Sequence, residues 1–127
     1  MKYIMITGAS SGIGEETARF LARQEDVTTI LVARNEEKLK KLVNEFGGET
    51  KYLIYDLTDV EHIESCFTKC REWGIKLDGL IHCAGIGENM PIRLIQTEHI
   101  KKMYQIHPMA FIELGKYFSK RKYSNDG

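Results

Sequence analysis

A short apolar run, Tyr3-Ile4-Met5-Ile6, leads straight into Thr7-Gly8-Ala9-Ser10-Ser11-Gly12-Ile13-Gly14, and a helical pattern opens immediately behind it. A buried strand, a glycine turn and a helix at the start of a chain constrain its fold more than any other feature here. Glycines let the backbone turn sharply, and the helix that follows aims the positive end of its dipole at the turn. The rest of the chain repeats the alternation. Ile13 to Gln24 reads as a helix with Ile13, Thr17, Ala18, Leu21 and Ala22 inward, and Val27 to Ala33 as a β-branched strand. Asn35 caps a second helix whose stripe is Leu39, Leu42, Val43 and Phe46; Gly47-Gly48 ends it. Lys51 to Tyr55 is a third strand. Thr58-x-x-Glu61 reads as a capping box for a helix with Val60, Ile63, Phe67 and Cys70 inward, ended by Gly74. Leu77 to Cys83 is a fourth strand and Ala84 to Arg93 a loop. One long helix is expected from Thr97 to Lys120 on the stripe Ile100, Met103, His107, Ala110 and Leu114. Strands spaced by helices pair in parallel through right-handed crossovers. The fold class is therefore α/β, an open doubly wound parallel sheet, and its ligands bind beyond the strand C-termini, where the strand order reverses.

Composition narrows the partners. The 127 residues make one domain at most, residues 1–127. Lys plus Arg and Asp plus Glu are both 18, so no basic excess points to nucleic acid and no acidic tail is present. The first apolar run is too short for a signal peptide or a membrane span. Cys66, Cys70 and Cys83 have no partners at zinc-finger spacing, so no metal site is expected. Reduced thiols place the protein in the cytoplasm.

The glycine turn allows three chemistries. Backbone N–H groups at Gly8, Gly12 and Gly14 can cradle a pyrophosphate at the helix start. Gly8-Ala9-Ser10-Ser11-Gly12 also matches G-x-S-x-G, the exposed serine of a serine hydrolase. That enzyme takes an oxyanion-hole amide from an earlier strand–helix loop, and here no strand comes before β-run Tyr3–Ile6 to supply one. A purely steric turn is the third reading. The spacing T-G-x-x-x-G-x-G resembles the short-chain dehydrogenase/reductase family, and other stretches resemble it in the same order. "LVARN" (31–35) is similar to the family's second strand end, and Asp56-Leu57 to its Asp-apolar pair. "HCAG" (82–85) is similar to its N-N-A-G, and "YQIHPMAF" (104–111) to the stretch around its helical asparagine. The resemblance implies a Rossmann-type sheet in the order 3-2-1-4.

Gly8 then supplies the sharp turn, Gly12 the close approach of a cofactor and Gly14 tight helix–strand packing, while Ser10, Ser11 and Ile13 offer hydroxyls and amides to phosphate. A site for NAD places a carboxylate near the end of the second strand; Ala33 stands there instead, and Arg34 follows with a guanidinium suited to a 2′-phosphate. NADP(H) is therefore expected in preference to NAD(H). The resemblance puts Asp56 and Leu57 against adenine, although Asp56 reads equally well as a turn residue ahead of Thr58. Ala84 and Gly85 would line the ribose region. Cys83 replaces an asparagine that ties strands together, so a weaker fourth strand is expected. His107 stands at the helical asparagine that holds a proton-relay water, and reads equally as a core histidine on the helix stripe. Pro108 should kink that helix and free the Tyr104 carbonyl.

The family's catalytic pair is Tyr-x-x-x-Lys, and none of the six tyrosines has lysine four places on. The catalytic serine, carried on a fifth strand, is absent too. The resemblance thus covers the N-terminal half of the family's domain. The expectation is a truncated, inactive cofactor-binding portion of an enzyme that moves hydride to or from a small-molecule substrate; a dinucleotide-sensing module is the alternative. The cut should leave the fourth strand's edge bare and expose Met103, Ala110 and Leu114, favouring a homo-oligomer through either surface.

Overall fold

The computed structural model describes residues 1–84 and 91–125. Its elements are β1 (Lys2–Thr7), α1 (Gly12–Ala22), β2 (Val27–Ala33), α2 (Glu36–Phe46), β3 (Lys51–Ile54), α3 (Glu64–Glu72), β4 (Gly79–His82), α4 (Thr97–Tyr104) and α5 (Ala110–Phe118), with a π-helical turn, Gln105–Met109, joining the last two. The strands form one parallel sheet in the order β3-β2-β1-β4, as the resemblance implies. Met5 sits at the centre, opposite Ile30 on β2 and Leu80 on β4.

Successive strand residues point to opposite faces, and both faces are buried here because helices cover each of them. Ile6 and Leu31 pack with Ala18 of α1 and with Leu39 and Leu42 of α2. Met5, Ile30 and Val32 pack on the other side with Phe67 of α3 and with Ala110 and Leu114 of α5. That arrangement leaves the strand C-termini as the open rim of the sheet.

Ile13, expected inward on α1, is 80% exposed, and three further local expectations need correction. Thr58 does not cap α3: Asp56 Oδ1 accepts from the Thr58 N–H at 3.0 Å and from its hydroxyl at 2.8 Å. A 3₁₀ turn, Val60–His62, follows, and α3 starts only at Glu64. Second, β4 begins at Gly79, and Leu77 instead forms a parallel bridge with Ser124. The Leu77 N–H donates to the Tyr123 carbonyl at 2.8 Å and the Asn125 N–H to the Leu77 carbonyl at 3.0 Å. The segment leading into the fourth strand is therefore bridged on its outer side, while Gly79–His82 itself stays at the edge of the sheet, as expected. Asp78 braces the same corner: its carboxylate accepts from the Tyr3 N–H at 2.8 Å and from the Asn125 side-chain amide at 2.7 Å.

Third, the long helix is broken. Pro108 has no N–H to give, and the Ala110 N–H reaches back to the Gln105 carbonyl, one residue further than in an α-helix. The extra residue rotates the helix face. Ile106, Ala110 and Leu114 are buried, while Ile100, Met103 and His107 are exposed. Ala110 and Leu114 are thus not exposed as expected, whereas Met103 is; Tyr104, Phe111 and Ile112 are each about 60% exposed (62%, 59% and 64%). Among the described residues no helix is long and apolar enough to cross a membrane.

Candidate functional site

A cleft of about 120 Å³ lies across the C-terminal ends of the strands. Gly8, Ser10 and Ser11 form its floor after β1; Ala33 and Arg34 close it after β2 and Asp56 and Leu57 after β3; Cys83 and Ala84 bound it after β4, with Ile106 above them. The floor is set by backbone touching backbone. Gly8 has φ +66°, and a Cβ there would stand 2.6 Å from the Ala84 nitrogen. A Cβ on Gly14 would stand 2.0 Å from the Gly8 carbonyl oxygen, so α1 starts tight against the turn. Gly12 has φ +55° and open space above it. Ser11, at the N-cap of α1, makes no capping side-chain hydrogen bond, so the amides of the first turn stay available to an anion.

The structure brings Gly8, Ser10, Ser11, Arg34, Asp56, Leu57 and Ala84 to this one cleft. Gly12 and Ile13 open onto a neighbouring groove along α1, beside Thr17 and Phe20. His107 lines a separate cavity with His82, Cys83, Ala84, Pro108 and Phe111. Gly85 lies outside the described residues.

Charge is concentrated at the β2–β3 end. Arg34 is exposed and Ala33, beneath it, is buried. Partial burial pushes the Asp56 carboxyl upward, but the two Thr58 hydrogen bonds, with Arg34 and Lys102 nearby, outweigh that and hold it below the usual carboxylate range. Asp56 therefore presents acceptor oxygens at neutral pH. Next to it, burial pushes the Tyr55 phenol above its ordinary value, and its hydroxyl donates to the Asp59 carbonyl. Far from the rim, burial pushes the Cys66 and Cys70 thiols up to about 12, so both stay protonated and inert.

Sequence reasoning missed Thr7 and His82. Thr7 is fully buried and faces His82 in register; its Oγ1 is 2.7 Å from His82 Nδ1. On its other side His82 Nε2 lies 2.9 Å from the Ile106 carbonyl oxygen. Strand register was the available signal: the last polar residue of β1 falls opposite the last residue of β4.

Residues 2–125 match the model of the short chain dehydrogenase family. The chain belongs to that family. An uncharacterised oxidoreductase of Listeria innocua is 37% identical over 110 residues, 84% of this chain and 44% of the relative. A benzil reductase of Saccharomyces cerevisiae, forming (S)-benzoin, is 34% identical over 119 residues, 89% of this chain and 44% of the relative. Among solved structures, a Saccharomyces cerevisiae short-chain dehydrogenase/reductase aligns at TM-score 0.84 with 26% identity, over 99% of this chain and 50% of its own. A metagenomic short-chain oxidoreductase in complex with NADP aligns at 0.83 with 27% identity, over 93% and 55%. 4-Hydroxyisoleucine dehydrogenase complexed with NADH aligns at 0.82 with 28% identity, over 95% and 49%. The chain spans about half the length of the curated relatives it matches.

Proposed function

We propose that residues 1–127 form the dinucleotide-binding portion of an oxidoreductase that prefers NADP(H) to NAD(H). A diphosphate would lie along the glycine turn, with the first amides of α1 and the Ser10 and Ser11 hydroxyls as donors; Gly12, which opens onto the neighbouring groove, leaves the backbone uncrowded there. Asp56 and the Leu57 amide suit an adenine edge, and Ala84 leaves room for a ribose. Bound there, the nicotinamide would supply a hydride to a carbonyl carbon, or accept one from an alcohol carbon, of a small-molecule substrate. This sequence's own residues bind and orient the cofactor; no Tyr-x-x-x-Lys pair is present to move the proton.

One observation carries the cofactor preference: the end of β2 offers the cleft a buried methyl at Ala33 and a guanidinium at Arg34, with no carboxylate to repel a 2′-phosphate. Relatives with NADP and with NADH both align well, so the preference rests on these two residues. Calorimetry is the test. NADPH should bind at least about tenfold more tightly than NADH, and Arg34→Ala should remove most of the difference while sparing NADH. Equal affinities, unchanged by Arg34→Ala, would overturn the preference. The purified chain should bind NADPH without oxidising it in the presence of aldehydes or ketones. Self-association through Tyr104, Phe111 and Ile112 belongs to the same reading.

A further inference from the structure

We propose that His82 is a positioning residue: as the neutral Nε2–H tautomer it joins the floor of the cofactor cleft to the π-turn above it, so that protonating His82 loosens the cleft. The proposal rests on the dinucleotide-binding reading only for its ligand; the hydrogen-bond chain itself stands on geometry.

Proton placement follows from the partners. The Ile106 carbonyl oxygen, 2.9 Å from Nε2, can only accept, so Nε2 carries a hydrogen. In the neutral ring Nδ1 is then an acceptor, and the Thr7 hydroxyl, 2.7 Å away, donates to it. Thr7 Oγ1 in turn accepts from the Ala84 N–H at 3.4 Å. Donation thus runs in one direction, from Ala84 through Thr7 and His82 to Ile106, and satisfies every polar atom on the way. Both ends of the chain, Ala84 and Ile106, line the cleft. A family asparagine at this position carries no titratable ring; histidine makes the tie depend on pH.

Protonation breaks the sequence of donors at Thr7. A charged ring presents Nδ1–H to the threonine oxygen, which must now accept from two sides. Its own hydrogen then loses its acceptor inside a fully buried site. The surroundings oppose that charge. Burial pushes the His82 imidazole below its ordinary value of 6.5 against the pull of the Ile106 hydrogen bond, and a charge on His107 adds to the lowering. In the cavity that His82 faces, the titratable groups are His107 from the π-turn and the Cys83 thiol; α1 contributes Ile13 and α5 Phe111, neither of which titrates. Thr7 from β1 does not titrate either. The unfolded chain takes up its proton near 6.5, above the folded value. The contribution of this tie to stability is therefore complete above about 6.5 and is lost as pH falls through the folded value.

Imidazole ¹⁵N resonances of the ligand-free chain decide the proposal. They should show Nε2–H with Nδ1 bare, a midpoint below the ordinary histidine value, and Ala84 and Ile106 backbone signals shifting with that same midpoint. An Nδ1–H tautomer, or Ala84 and Ile106 signals indifferent to His82, would overturn it. The second readout is NADPH affinity across that midpoint. The native chain should lose about fivefold more affinity than His82→Gln, which keeps a donor and an acceptor but cannot titrate. The 2′-phosphate titrates equally with both proteins, so the difference reads the protein; identical profiles would overturn the proposal. A chain that bound no dinucleotide would defeat the proposed function, and the resonances would still decide the His82 chain.

Discussion

The turn between β1 and α1 and the break between α4 and α5 sit at the rim of the same sheet and are built in opposite ways. At the turn, main chain presses on main chain: there is no room for a methyl at Gly8 or Gly14. At the break, an added residue turns apolar side chains outward, leaving Phe111 59% and Ile112 64% exposed. The glycine-turn end of the cleft is thus fully formed by the described residues. Beside His107 and Pro108 the surface offers apolar area that packing has not used.

The largest effect that could break this contrast is at the turn. Gly14→Ala should cost about 3 kcal/mol or more, because the Gly8 carbonyl it meets is backbone and cannot step aside; thermal melting measures it, and Gly8→Ala should behave alike. A loss under about 1 kcal/mol would show the turn to be more yielding than its contacts imply. Gly115→Ala is the matched substitution on α5. Nothing lies within 4 Å of its added methyl, so helix propensity alone should raise stability by up to about 1 kcal/mol. Smallest of all, Ile112→Lys should change stability by less than about 0.5 kcal/mol. It should also abolish concentration-dependent association in light scattering, and a native chain that stays monomeric at high concentration would remove the apolar face as a contact surface.

Features that depend on local chemistry could be read from the sequence. The glycines at 8, 12 and 14 mark a strand–turn–helix whatever the rest of the chain does, and Asn35 caps α2 through the Lys38 N–H as its letters imply. Parallel pairing followed from strand and helix alternation, while the order 3-2-1-4 came from the family resemblance. What escaped depended on neighbours distant in sequence. The phase of the last helix was read as one unbroken period, but the π-turn at Pro108 shifted it by a residue, so Met103 and His107 fell outside while Ile106 fell inside. Thr58 looked like a cap until Asp56, two residues earlier, claimed its hydroxyl. His82 gained its meaning only when β4 came to lie beside β1 and placed the ring between Thr7 and Ile106.

Parallel strands have no hairpin to fix their alignment, and a slip of one residue would turn every side chain of β4 to the wrong face. Asp78 works against that slip as a peg: one carboxylate oxygen is held by the Tyr3 amide of β1 and the other by Asn125 across the outer edge. Losing the carboxylate should therefore show less as lost heat stability than as a choice between competing alignments, visible as doubled amide signals along Gly79–His82.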